Sequence, residues 1–103
     1  MSYEDDVMSL IIAAGEGRSC AMEALSFAKA GHFSEAEASL TLSADAFRQA
    51  HEVQTRLIGL DEGAGKLHMT LVMVHAQDHL MTGMLCREFV TELIEVYKKW
   101  SEY

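Results

Sequence analysis

The sequence predicts an all-α fold of three helices, and three observations carry that expectation. The 103 residues include no proline, so no ring interrupts a long helix. Apolar residues recur at alternating steps of three and four, the period of a helical seam. Only one stretch is glycine-dense enough to read as a loop, Leu60-Asp61-Glu62-Gly63-Ala64-Gly65. The length suits one domain spanning 1–103.

Each element has its own signals. The first helix is expected to start at Ser2 followed by Asp5, with acidic residues crowded into the first turn, where the macrodipole favours them. Its seam is Val7, Ile11, Ala14, Ala21, Leu25 and Ala28, with Arg18 in the gap, and Lys29 and Gly31 supply its end. Gly15 and Gly17 lie inside it; each costs ~1 kcal/mol relative to alanine, or else permits a close helix approach or a bend. Ser34-Glu35-Ala36-Glu37 reads as a capping box, with Phe33 before it as a hydrophobic staple. The second helix then carries Ala36, Leu40, Ser43, Phe47, Ala50, Gln54 and Leu57 on one stripe and polar residues elsewhere. The third is expected to begin between Lys66 and His68 and to run to Lys99 or Trp100. Its middle is apolar on nearly every face: Leu71 to Val74 are consecutive, and Leu80, Met81, Met84 and Leu85 cover the rest. A helix apolar all round needs cover on all sides. Two partner helices do not supply it, so self-association through this helix is expected.

Charge and composition exclude several functions. Sixteen acidic residues face eight Lys and Arg, a net charge of −8. Nucleic acid and anionic membrane surfaces select the opposite sign. The longest apolar runs, Ser9 to Gly15 and Met69 to Ala76, are too short to span a bilayer. The acidic start MSYEDD is unlike a secretory signal. Cys20 and Cys86 lack paired spacing and read as free thiols. A cytoplasmic chain is expected.

The chemistry concentrates in Val74-His75-Ala76-Gln77-Asp78-His79-Leu80-Met81. With His75 at zero, Asp78 falls at about −60°, His79 at about +40° and Thr82 at about −20°, one polar strip on an apolar helix. Gln77 lies about 200° away and can approach a histidine only on another helix, including another subunit's. An unpaired buried Asp78 costs several kcal/mol. Three readings compete for the strip. It is a hydrogen-bonded layer that sets register, or a metal site, or a histidine nucleophile. His at i and i+4 resembles a zincin helix, but Ala76 stands where the glutamate base belongs, which counts against hydrolysis. His32 at a helix boundary reads as solvated, His51 as a half-buried polar partner, and His68 as the start of the third helix. The methionines Met69, Met73, Met81 and Met84 read as adaptable core.

The string VHAQDHLM closely resembles the signature of the lactose/cellobiose-type enzyme IIA components of the bacterial sugar phosphotransferase system. IIAAGEGRSCAMEAL, AHEVQTRLIG and EGAGK extend the resemblance over the whole chain. The resemblance implies three antiparallel helices per subunit and a homotrimeric nine-helix bundle. It implies a phosphocarrier that takes a phosphoryl group from phospho-HPr and passes it to a cysteine of the IIB component, driving disaccharide uptake. His75 then carries the phosphoryl group. Asp78 corresponds to a metal ligand where subunits meet, and Mg²⁺ suits carboxylates and water. Gln77 of a neighbouring subunit, or Thr82, orients the ring or binds a phosphoryl oxygen, and His79 is a secondary site residue. Two departures stand out. Gly17 replaces a residue with a side chain, and Gly83 follows Thr82 where alanine is common. Both are expected to lower stability without removing chemistry. The rival reading is a self-associating scaffold or regulator whose His/Asp strip does no covalent work.

Overall fold

The computed structural model describes residues 3–102 and consists of three helices, α1 (Tyr3–Lys29), α2 (Phe33–Asp61) and α3 (Leu71–Ser101). They form an elongated bundle of 56 × 21 × 19 Å. Side-chain pairs fix the directions. Ser43 of α2 donates to the Gly17 carbonyl of α1, and Arg56 reaches back to Asp6, so α1 and α2 are antiparallel. Gln54 meets Gln77 and Arg87 meets Leu40, so α2 and α3 are antiparallel as well. α1 and α3 therefore run parallel. Cys86 meets Met22 across a separation of 64 residues, and Tyr3 donates to the His68 carbonyl across 65.

The two connections differ in build. The α1 to α2 turn closes with His32 N–H to Phe27 C=O (2.9 Å) and Gly31 N–H to Ala28 C=O (3.0 Å). This is a Schellman pair around Gly31, whose φ of 83° suits a residue without Cβ. The tight reversal overturns the expected capping box. The N-cap is His32, without a side-chain cap, and Ser34 already lies inside the helix. Glu37, the expected cap acid, instead receives a hydrogen bond from Lys98 of α3 at 2.6 Å. The second connection is held by the Asp61 carboxylate, which accepts from Gly65 N–H and Leu67 N–H. α3 starts later than expected. Thr70 is its N-cap and accepts from Met73 N–H at 3.1 Å, leaving Lys66 to His68 in the connection. The expected cap at Ser2 lies outside the described residues.

All three helices contribute to both core clusters, and α1 supplies small residues to each. Ala14, Ala21, Ala24 and Ala28 are fully buried on it and let the other helices approach closely. Gly17, not Arg18, fills the gap in its seam. The stripe expected on α2 is buried except for the half-buried Gln54. Phe47 wedges its ring between α1 and α3. A Cβ at Gly17 would lie 2.8 Å from that ring, and one at Gly83 2.9 Å. The two glycines are therefore the walls of an aromatic socket. Asp6, read from sequence as a macrodipole acid, is buried and paired with Arg56 at 2.8 Å. That hydrogen bond, with Asp6's charge, holds the Arg56 guanidinium above its ordinary range.

α3 buries one face and leaves the other apolar and open. Leu71 (84% exposed), Val74, Met81, Leu85, Phe89, Leu93, Val96 and Trp100 (74%) follow one another at steps of three and four, with Asp78 in the same row. This is the surplus apolar surface that the sequence implies, gathered into a single stripe.

Candidate functional site

The site lies on the second and third turns of α3. Thr70 fixes the first turn, and buried Met73, Ala76 and Leu80 anchor the inner face. The opposite face then carries His75, Asp78 and His79. His75 is exposed and lines a shallow apolar hollow with Leu71, Val72, Val74 and Asp78. His79 is half-buried. The two imidazoles stack, with centroids 5.7 Å apart and planes 17° from parallel. Such a stack fixes one ring by the other, whereas a metal chelate needs ring nitrogens converging on one point. Accordingly, among the described residues no group of three or more His, Cys, Asp or Glu side chains can hold a metal ion within one chain.

The other candidates fall at different positions. Gln77 lies on the α2 side of α3. Its carbonyl accepts from Gln54 at 2.6 Å, and its amide meets the Met73 sulfur at 3.8 Å. It does not reach His75 of its own chain, in line with the helical angles. The Thr82 hydroxyl donates to the Asp78 carbonyl at 2.8 Å, so its proton is committed to the backbone. It keeps only lone pairs for the site. Asp78 is exposed on the apolar stripe. His51, expected half-buried, is exposed and lines a separate hollow between α2 and α3 with Arg48 and Arg87. His32 is exposed, 3.6 Å from Glu35. Burial pushes the Cys20 thiol up, with Glu16 and Glu23 adding to the effect, so it stays protonated and is a poor nucleophile. Two residues that the sequence did not place at the site complete the surroundings. Gln54 steadies Gln77. Gly15 of α1 lies against His79: a Cβ there would be 3.4 Å from its Nε2. The helical glycine was visible in the sequence; which side chain it faced was not.

The chain is thus an all-helical bundle that presents a stacked histidine pair on an apolar helix face. Residues 5–98 match the family of lactose/cellobiose-specific IIA subunits of the phosphotransferase system. The chain belongs to that family and is a component of a sugar phosphotransferase system. It is 54% identical over 96 residues to the N,N'-diacetylchitobiose-specific EIIA component of Escherichia coli K12, covering 93% of this chain and 83% of the relative. Its structure resembles the cellobiose-specific enzyme IIA of Bacillus anthracis, with a TM-score of 0.93, 38% identity and coverage of 99% and 94%. It also resembles the IIA(chitobiose) chain solved in complex with HPr from Escherichia coli, with a TM-score of 0.86, 50% identity and 98% coverage of both chains. Among the described residues no helix is long and apolar enough to cross a membrane.

Proposed function

We propose that this chain is a cytoplasmic phosphocarrier that accepts a phosphoryl group from phospho-HPr on His75 and passes it to a cysteine of a IIB component, in service of disaccharide uptake. The observation that carries the reading is the His75 ring, exposed on a stiff helix and braced by His79, in a member of this family. A neutral imidazole offers an unprotonated ring nitrogen near neutral pH. That nitrogen attacks phosphorus in line as the donor leaves, and the phosphoramidate so formed retains a high transfer potential. The chain's task is positioning more than chemistry. The apolar side chains around His75 suit brief contact with two successive partners.

Assembly completes the site in this reading. Three copies joined through the open α3 stripe bury Leu71, Val74, Met81 and Leu85 together, and threefold closure keeps the helices parallel. Relative to Asp78, His75 lies at about +60° and Gln77 at about −100°. These are opposite shoulders of the stripe, which meet between neighbouring copies. Gln77 of one copy thus faces the His75 side of the next. A single Asp78 per chain holds no ion by itself; three on one axis repel, and a divalent cation such as Mg²⁺ with water offsets that repulsion. The ion's contribution is to the assembly, while His75 receives the phosphoryl group. Asp78→Leu removes the repulsion and adds apolar surface. The variant is expected to sediment as a trimer with or without chelator, whereas chelator loosens the wild type. Unfolded Asp78→Leu monomers would refute the structural role of the ion.

The central test is incubation with phosphoenolpyruvate, enzyme I and HPr. The expected product is acid-labile, alkali-stable phosphate on the protein, removed on adding a IIB component. An unlabelled wild type leaves the scaffold reading instead.

A further inference from the structure

We propose that Gly15 is a positioning residue of the phosphoryl site, because its missing side chain forms the seat in which the His79 ring lies. The inference rests on His75 as the phosphoryl acceptor and extends that reading to α1.

The four helical glycines are not equivalent. A Cβ at Gly17 or Gly83 would meet the Phe47 ring, and one at Gly59 would meet nothing within 4 Å. At Gly15, among the described residues and outside the backbone of its own helix, an added Cβ would have one atom within 4 Å, His79 Nε2 at 3.4 Å. The position is half-buried, and its backbone is ordinary helix. Among the described residues outside the backbone of α1, the group that a Cβ at 15 meets is therefore the His79 imidazole. The registry of the parallel helices explains the pairing. Cys86 meets Met22 at a separation of 64 residues, and Gly15 lies level with His79 by the same offset.

The consequence reaches His75 through the ring stack. His79 is bounded by α1 on its Nε2 edge and by the His75 ring on its face. With α1 packed close, the ring lies flat beside His75, half-buried while His75 stays exposed. A Cβ at 15 already touches the Nε2 edge at 3.4 Å, and a larger side chain pushes that edge outward. Because rings at 5.7 Å are near neighbours, the displacement tilts His79 against His75 and turns the acceptor ring away from in-line attack. Small misplacements of this kind cost rate steeply. Local stability moves the other way, since alanine favours a helix over glycine. That opposition separates a positioning role from a merely structural one.

The test uses the full chain as Gly15→Ala and Gly15→Val. Gly15→Ala should melt a few degrees higher than wild type, yet accept phosphate from phospho-HPr a few-fold more slowly. Gly15→Val should lose about ten-fold or more in rate, within the range that misplacement produces. In the unphosphorylated protein the ring proton and nitrogen resonances of both His75 and His79 should shift in Gly15→Val, because ring currents report the stack. In a His79→Ala background, Gly15→Val should cause no further loss. Unchanged ring resonances, or an equal rate loss with and without His79, would overturn the seat. If the wild type accepts no phosphate, the carrier reading fails, and the ring resonances alone decide whether Gly15 sets the stack.

Discussion

His75→Gln is expected to fold and assemble as the wild type does and to carry no acid-labile phosphate. His75 is exposed, so its replacement opens no cavity and leaves no buried group without a partner. Its aromatic contact among the described residues is the stack with His79, whose loss is a surface-scale change. Glutamine keeps a polar side chain on the helix but offers only an amide nitrogen, which is not a nucleophile at neutral pH. Labelling should therefore fall to background while circular dichroism and sedimentation remain unchanged. His79→Ala retains the acceptor nitrogen and should still label, more slowly because the acceptor ring is no longer braced. The pair of variants separates acceptor from brace. Labelled His75→Gln would move the acceptor elsewhere on the chain and undo the assignment.

The largest stability effect is expected at Phe47. Its ring fills the socket between Gly17 and Gly83 at the crossing of all three helices, and it is 5% exposed. Phe47→Ala removes the ring and leaves a void, at a cost of about 3–5 kcal/mol. Gly17→Ala is instructive for its sign. In an open helix it would stabilise by about 1 kcal/mol. Here its Cβ would lie 2.8 Å from carbons of the Phe47 ring, which must shift, so overpacking of about 1–3 kcal/mol opposes the propensity gain. The net effect is expected to be destabilising beside Phe47 and stabilising in the Phe47→Leu background. A denaturant-melting cycle over the two sites measures this coupling. A stabilising Gly17→Ala in the wild-type background would show that the socket is looser than its geometry implies.

The same socket shows what was legible beforehand. Gly17 and Gly83 break a local rule, since glycine weakens a helix interior, and sequence reasoning charged them with a stability cost. Their compensation is a long-range contact with Phe47 that no local pattern displays. The three helices, the buried stripe of α2 and the unpartnered face of α3 were readable because each repeats over many turns. Caps were harder. Ser34 with Glu37 spells a capping box, yet the Schellman turn at Gly31 forces the helix to start sooner, and Glu37 serves Lys98 instead. Thr70 looked ordinary beside the apolar run it caps. Within the site, the helical angles grouped His75 with His79 and put Gln77 on another side. The angles could not place Gly15, because that placement depends on how α1 and α3 slide past each other.

Parallel α1 and α3 have a kinetic consequence. Gly15 and His79, which lie against each other, are separated by nearly two-thirds of the polypeptide and have the whole of α2 between them. Loops of that size close late and slowly compared with the adjacent α1–α2 hairpin. During synthesis the hairpin can form while the last segment is still within the ribosome. The His79 ring then meets α1 only when the final helix docks, so in the proposed reading a half-made chain presents no seated acceptor to its donor.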